Sequence, residues 1–310
     1  LVRKDREIIY ERYESGKYDG VVDAGSLWPM FSVTKSVVVG AILALDEAGT
    51  LSLDDPVSRF LPAFATQGDG KFRRKSVTIR HLASNTAGVS IPREKYIPRP
   101  QQPPDMPFVQ IDTEPGEEFV YSTLGMHILQ NAIESATGES FEETVVRLVL
   151  NPMGLGSARY IPEYDAALPV IPVRTADQPE NRHYYSPKGL ACASGLFVTA
   201  RDLNACAQAW LSCETTTGNK IFSRTLRDEA WKTHGVKDGK IGYGLMWWTI
   251  EELGSYLMVG WGGQVTVVVP EAGVVLTVLR NSFDHPNHGP FKYDDDRLQL
   301  TSYASKLGGR

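Results

Sequence analysis

One stretch of the chain has almost no polar face. It runs from Ser36 through Val37, Val38, Val39, Gly40, Ala41, Ile42 and Leu43 to Leu45, directly after Phe31-Ser32-Val33-Thr34-Lys35. A helix apolar nearly all round is buried rather than amphipathic, and Gly49 supplies the residue that ends it. Upstream, Glu7-Ile8-Ile9-Tyr10-Glu11-Arg12-Tyr13 alternates polar and apolar positions and predicts a strand. Leu51 to Val57 opens a helix-rich region, in which Asp54 and Asp55 before Pro56 read as ordinary caps. Val77 to Gly88 predicts a short capped helix running into a glycine turn. Leu124 to Ala136 predicts a helix closed by Gly138, Ser140 and Glu143 form a capping box for the next one, and residues 200 to 212 are helical with Thr199 as cap. Residues 90 to 115 are Pro-rich and read as an ordered loop over a site or a lid; residues 157 to 188 are irregular.

From about residue 241 the pattern changes. Tyr243 to Ile250, Tyr256 to Gly260, Val265 to Val269 and Val274 to Leu279 are β-rich runs separated by Gly or Pro, which predicts sequential antiparallel strands. A final helix is expected from Asp295 to Lys306. These elements predict an α+β fold: an antiparallel sheet flanked by helices and built from both chain ends (1–51 and 205–310), a mostly helical inserted domain (52–204), and a site between the two.

Composition narrows the function classes. The chain has 310 residues, 42% hydrophobic and 22% charged, with a net charge of -5. That charge gives no reason to expect nucleic acid or an acidic membrane as partner, and no apolar run reaches membrane-spanning length. The sequence opens Leu1-Val2-Arg3-Lys4-Asp5, with neither an initiator Met nor a signal-peptide core, so its start leaves cytoplasmic and periplasmic locations both open. The cysteines are Cys192, Cys206 and Cys213, an odd count that rules out a fully paired framework. Cys206 lies among Ala205, Ala207 and Ala209 and reads as a small buried apolar residue. His285 and His288, near Asp284 and Asp294 to Asp296, have loose metal-ligand spacing and read as a solvated polar loop, so neither metal nor organic cofactor is expected.

Three places carry candidate chemistry. Ser32 and Lys35 stand at i and i+3, on one helical face. An ammonium at the start of a buried helix is costly without partners or a task. A neutral amine beside a serine hydroxyl can act as its base, making the serine a nucleophile. The alternatives are Ser32 as a helix N-cap and Lys35 as an exposed first-turn residue. Tyr121 follows a Pro115-Gly116 turn and precedes a helix, so its phenol either projects into a cleft as a proton relay or sits at a core edge. In Gly260-Trp261-Gly262-Gly263-Gln264 the glycines either let backbone approach a ligand and supply an oxyanion donor, or form a hairpin turn. Gly-x-Ser-x-Gly, Walker, dinucleotide-binding and His-Glu-x-x-His motifs are absent.

In their order along the chain, these segments resemble the serine β-lactamase and penicillin-binding-protein superfamily, whose pattern is Ser-x-x-Lys, then Tyr-x-Asn or Ser-x-Asn, then Lys-Thr-Gly on a strand. The resemblance is closest to the class C-like branch and, within it, to the family VIII carboxylesterases, which carry Trp-x-Gly as the third element. It extends to His81 to Gly88, similar to the family's "LLTHTSG" box, and to Ser194 to Leu203, similar to "GGLxSTARDL". It implies a β-lactamase/transpeptidase-like fold and catalysis by Ser32, Lys35 and Tyr121. It implies an oxyanion site from the N–H groups of Ser32 and Gln264, with substrate contacts from Trp261, Gly262, Gly263 and Thr123. Two departures matter. Thr123 stands where the family often has Asn and offers a hydroxyl in place of an amide. Trp261 replaces a lysine that would hold a β-lactam carboxylate, which favours a neutral ester. Amides, D-amino-acid peptides, acyl transfer, slow β-lactam hydrolysis and a non-catalytic module on the same fold stay open at this point.

Overall fold

A computed structural model describes residues 1–16, 20–66, 74–91, 109–161, 165, 167–172, 191–215, 217–237, 239–280 and 293–308. His285, His288 and most of the Pro-rich segment lie outside the described residues. Eight strands form one antiparallel sheet. Their spatial order is Glu7–Tyr10, Val2–Lys4, Val274–Val278, Val265–Val269, Ser255–Val259, Trp248–Ile250, Gly242–Tyr243 and Gly235–Val236. The two chain ends meet where Val2 pairs with Leu276.

The valine-rich strands are apolar on both faces because both faces are covered, and alternate side chains point to opposite sides of a strand. Val265, Val267 and Val269 join Val2, Leu257, Leu276 and Ala304 in one cluster, under the terminal helix Tyr293–Gly308. Val268, Val275 and Met258 face the larger core, which also holds the helix Val33–Glu47. The helix Ala200–Ser212 covers that second face, capped by Thr199 Oγ1, which accepts from Asp202 N–H at 3.3 Å. Its Asn204 side chain accepts from Arg3 Nε at 2.9 Å and donates to Thr277 Oγ1 at 3.1 Å. The expected division at 204/205 therefore falls inside this helix.

One predicted strand is two. Gly242–Tyr243 and Trp248–Ile250 pair antiparallel with Trp248 opposite Tyr243, and the residues between them turn away. Leu245 N–H donates to Ala230 O at 2.8 Å and Met246 N–H to Ala83 O at 3.0 Å. A Cβ on Gly244 would meet Ala230 O at 2.2 Å, so only glycine allows this approach.

Arg159–Tyr160, expected to be irregular, forms a small antiparallel sheet with Leu196–Val198 and Trp28–Pro29. The flanks of the Pro-rich segment come together as Val89–Ser90 paired with Gln110–Ile111. Gly49 closes the central helix at φ 71°, with Thr50 N–H bonded to Leu45 O and Gly49 N–H to Asp46 O, each at 3.0 Å. All three cysteines are buried free thiols. No helix among the described residues is long and apolar enough to cross a membrane.

Candidate active site

Ser32 enters the site through a strained residue. Phe31 is buried at φ 46°, in the left-handed region that bulky side chains avoid. The flanking backbone fixes it: Met30 N–H donates to Leu196 O at 2.9 Å, and Trp28–Pro29 pairs with Leu196–Val198. Strain of this kind persists only where surrounding structure over-determines it, and it gathers at functional sites. Ser32 then occupies the cap position of the helix Val33–Glu47 in helical geometry (φ -68°, ψ -10°), and its side chain makes no capping bond.

The free hydroxyl is taken by two other donors. Lys35 Nζ donates to Ser32 Oγ at 2.9 Å, and Tyr121 Oη donates to the same oxygen at 2.9 Å. Lys35 is 2% exposed, so it is no surface residue. Its Nζ also donates to Ala193 O at 2.8 Å and lies 5.2 Å from the Tyr121 ring centroid. Ala193 belongs to the short helix Ala191–Ser194. Its neighbour Cys192 is no rival nucleophile: burial pushes that thiol up to about 12, against the opposing pull of Lys35.

Tyr121 is 40% exposed. Its ring stacks on Trp248 (centroids 5.9 Å, 14°) and meets the edge of Tyr243 (6.1 Å, 84°). Burial holds the Tyr243 phenol well above the ordinary tyrosine range, and Tyr121 beside it adds to this.

The glycine-rich turn packs against the residues that lead into Ser32. A Cβ on Gly260 would meet Met30 O at 2.7 Å, and one on Gly262 would meet the Phe31 ring at 3.0 Å. Gly260 N–H donates to Gln264 O at 2.8 Å, so the segment is also the tight turn between two strands. Trp261 is 62% exposed, edge-on to Phe31 with centroids 6.4 Å apart. The Gln264 side chain is buried; its Nε2 donates to Arg280 O at 2.8 Å, and its Oε1 finds no hydrogen-bond partner among the described residues. Among the described residues neither the Ser32 nor the Gln264 backbone N–H donates to another backbone group. Thr123 opens the helix Thr123–Thr137, and its hydroxyl makes no hydrogen bond to Ser32, Lys35 or Tyr121 among those residues.

Residues 1–301 match the family model described as Beta-lactamase. The chain belongs to the beta-lactamase family. Its fold is similar to that of EstCE1, described as a hydrolase with promiscuous acyltransferase activity, at TM-score 0.79 and 18% identity over 99% of this chain and 92% of that one. It is similar also to a D-stereospecific amidohydrolase from Streptomyces sp., at TM-score 0.68 and 20% identity over 84% and 83% of the two chains. In sequence it is 28% identical to Esterase EstB of Burkholderia gladioli, across 52% of this chain and 46% of that protein. This beta-lactamase-family chain is thus an enzyme of the serine β-lactamase and penicillin-binding-protein hydrolase superfamily.

Three contributors to the site escape a reading of the sequence. Ala193 acts through a carbonyl that any residue possesses, so nothing in its side chain marks it. Tyr243 and Trp248 lie in a run that reads as one continuous strand. The signal available for them is the Gly242–Gly244 pair flanking Tyr243, since glycines inside a strand pattern mark close backbone approach. The whole arrangement places two proton-carrying groups on one hydroxyl, beside a turn whose backbone can approach a ligand.

Proposed function

We propose that this enzyme cleaves carboxylic esters through an acyl-enzyme on Ser32. The observation that carries this reading is the approach of Lys35 Nζ and Tyr121 Oη to Ser32 Oγ, both at 2.9 Å. Ser32 Oγ attacks the ester carbonyl carbon while its proton passes to whichever member of the Lys35–Tyr121 pair is deprotonated, the neutral amine or the phenolate. The carbonyl oxygen takes the negative charge and is held by the backbone N–H groups of Ser32 and Gln264. The intermediate collapses, the C–O bond to the alcohol breaks, and the departing oxygen takes the proton back from the pair. Water then repeats the sequence on the acyl-enzyme and frees Ser32. None of these steps draws on a cofactor.

Trp261 supports a neutral substrate. An indole at the third element offers an apolar face and no charge to pair with a carboxylate, so a β-lactam loses the ion pair that would orient it. The likeness to a D-stereospecific amidohydrolase supports amide hydrolysis on the same residues as the second reading.

A p-nitrophenyl butyrate assay with intact-protein mass spectrometry tests both. Turnover is expected, with a butyryl adduct on Ser32, and both vanish in Ser32→Ala. Nitrocefin hydrolysis is expected to be slow. Normal turnover in Ser32→Ala would overturn the mechanism. Silence on esters with release of amine from D-amino-acid amides would move the assignment to the second reading.

A further inference from the structure

The Tyr121 phenol is aimed at Ser32 by a short extended segment, and one buried residue holds that segment on both sides of Tyr121. Val120 N–H donates to the main-chain carbonyl of Asn85 at 2.8 Å. Ser122 N–H donates to Asn85 Oδ1 at 2.9 Å. Asn85 therefore accepts the N–H groups on either side of Tyr121 with two oxygens of its own. It manages this from the left-handed region, at φ 57°. Asparagine is among the few residues other than glycine that visit this region, because its short polar side chain finds a local partner. The strain is fixed by what precedes it: Asn85 N–H donates to Leu82 O at 3.2 Å and Thr86 N–H to His81 O at 2.9 Å, closing the end of the helix Ile79–Ala83.

We propose that Asn85 is the positioning residue for Tyr121, an inference that rests on Tyr121 moving the Ser32 proton. Asn85 meets the backbone on both sides of Tyr121, and its side chain also lies beside the Tyr243 phenol, whose ring meets the edge of Tyr121. The phenol oxygen lies at the far end of a long rigid side chain, so a small tilt of residues 120 to 122 is amplified where the proton moves. Trp248 and Tyr243 hold the ring's plane; Asn85 holds the height from which the ring projects. A misplacement of about 1 Å at a reacting group costs about 100-fold in rate.

The test uses three single variants and one double. Asn85→Gly keeps the left-handed backbone without steric cost and keeps the carbonyl that Val120 uses, while deleting Oδ1. Asn85→Asp retains an oxygen where Ser122 N–H points. Tyr121→Phe removes the phenol, and the double variant combines it with Asn85→Gly. Rates on p-nitrophenyl butyrate are taken per reactive Ser32, counted with a fluorophosphonate label, so that a reduced folded fraction does not enter. Asn85→Gly is expected to lower kcat about 10- to 100-fold with KM within about twofold. Asn85→Asp recovers most of that loss. The double variant is no slower than Tyr121→Phe alone, a non-additivity that a purely structural role would not produce. Losses that multiply in the double variant, or full kcat in Asn85→Gly beside an inactive Tyr121→Phe, overturn the positioning role alone. Full activity in Tyr121→Phe overturns the proton-transfer reading and this inference with it.

Discussion

Lys35 and Tyr121 stand at the same distance from Ser32 Oγ and in opposite surroundings. Lys35 is sealed in the core, 2% exposed, with its second hydrogen bond fixed by the Ala193 carbonyl. Tyr121 is 40% exposed, and its ring leans on other aromatics. Equal distances thus conceal unequal positions. A buried amine is held at the expense of its hydration, a cost that its two hydrogen bonds offset. A half-exposed phenol pays little for its place and has access to whatever leaves the site. Under the proposed mechanism, Lys35 serves the Ser32 proton from the buried side and Tyr121 serves the departing group from the exposed side.

The largest effect expected from breaking this comparison is at Lys35. Lys35→Met keeps much of the side-chain volume and removes the buried polar head, so kcat falls about 10³- to 10⁴-fold while the melting temperature stays at or above that of the wild type. A steep loss of melting temperature would mean that the amine is chiefly a structural anchor. Tyr121→Phe is expected to cost less, about 100-fold in kcat, with little change in melting temperature because the part-exposed ring keeps its packing on Trp248 and Tyr243. The leaving group sharpens the contrast. A p-nitrophenolate departs without a proton, whereas an alkoxide needs one, so the Tyr121→Phe loss is larger on alkyl esters than on p-nitrophenyl esters. An equal loss on both would remove Tyr121 from the leaving-group step.

What the sequence made legible in this region is what local spacing controls. The i to i+3 relation of Ser32 and Lys35, the glycine closure at Gly49 and the capping box of Ser140 and Glu143 each involve neighbours in the chain, and the structure contains all three arrangements. The sheet was legible because the late strands alternate glycine or proline breaks with runs of β-branched residues. The break inside 243 to 250 was not, because apolar residues continue through it; the turn exists only because Gly244 and Met246 meet Ala230 and Ala83, which are distant in sequence. Phe31 is a sharper case. Local preference argues against a bulky aromatic at positive φ, and tertiary packing overrules it.

The smallest expected effect lies behind Lys35. Gln130 Oε1 accepts from Cys192 N–H at 3.2 Å, and Glu134 Oε1 accepts from Gln130 Nε2 and from Phe141 N–H, each at 3.2 Å. The helix whose Ala193 carbonyl holds Lys35 is thereby tied back to Glu134. Burial pushes the Glu134 carboxyl above the ordinary range, more than its hydrogen bonds pull it down. A carboxyl raised on folding favours the folded state in its protonated form. That contribution is full below the unfolded value, about 4.3, and is lost as pH rises through the higher folded value. Glu134→Gln keeps an oxygen for both donors and removes the ionisation. The variant is therefore expected to melt about 1–2 °C above the wild type at neutral pH, with the gap closing on acidification. Thermal melts across that range decide the matter. A wild type that is the more stable at neutral pH would mean that the ionised carboxylate strengthens its bonds to Gln130 and Phe141 by more than its burial costs. The buried side of Ser32 would then be held by charge at Glu134, and the contrast with the exposed Tyr121 side would be one of electrostatics as well as burial.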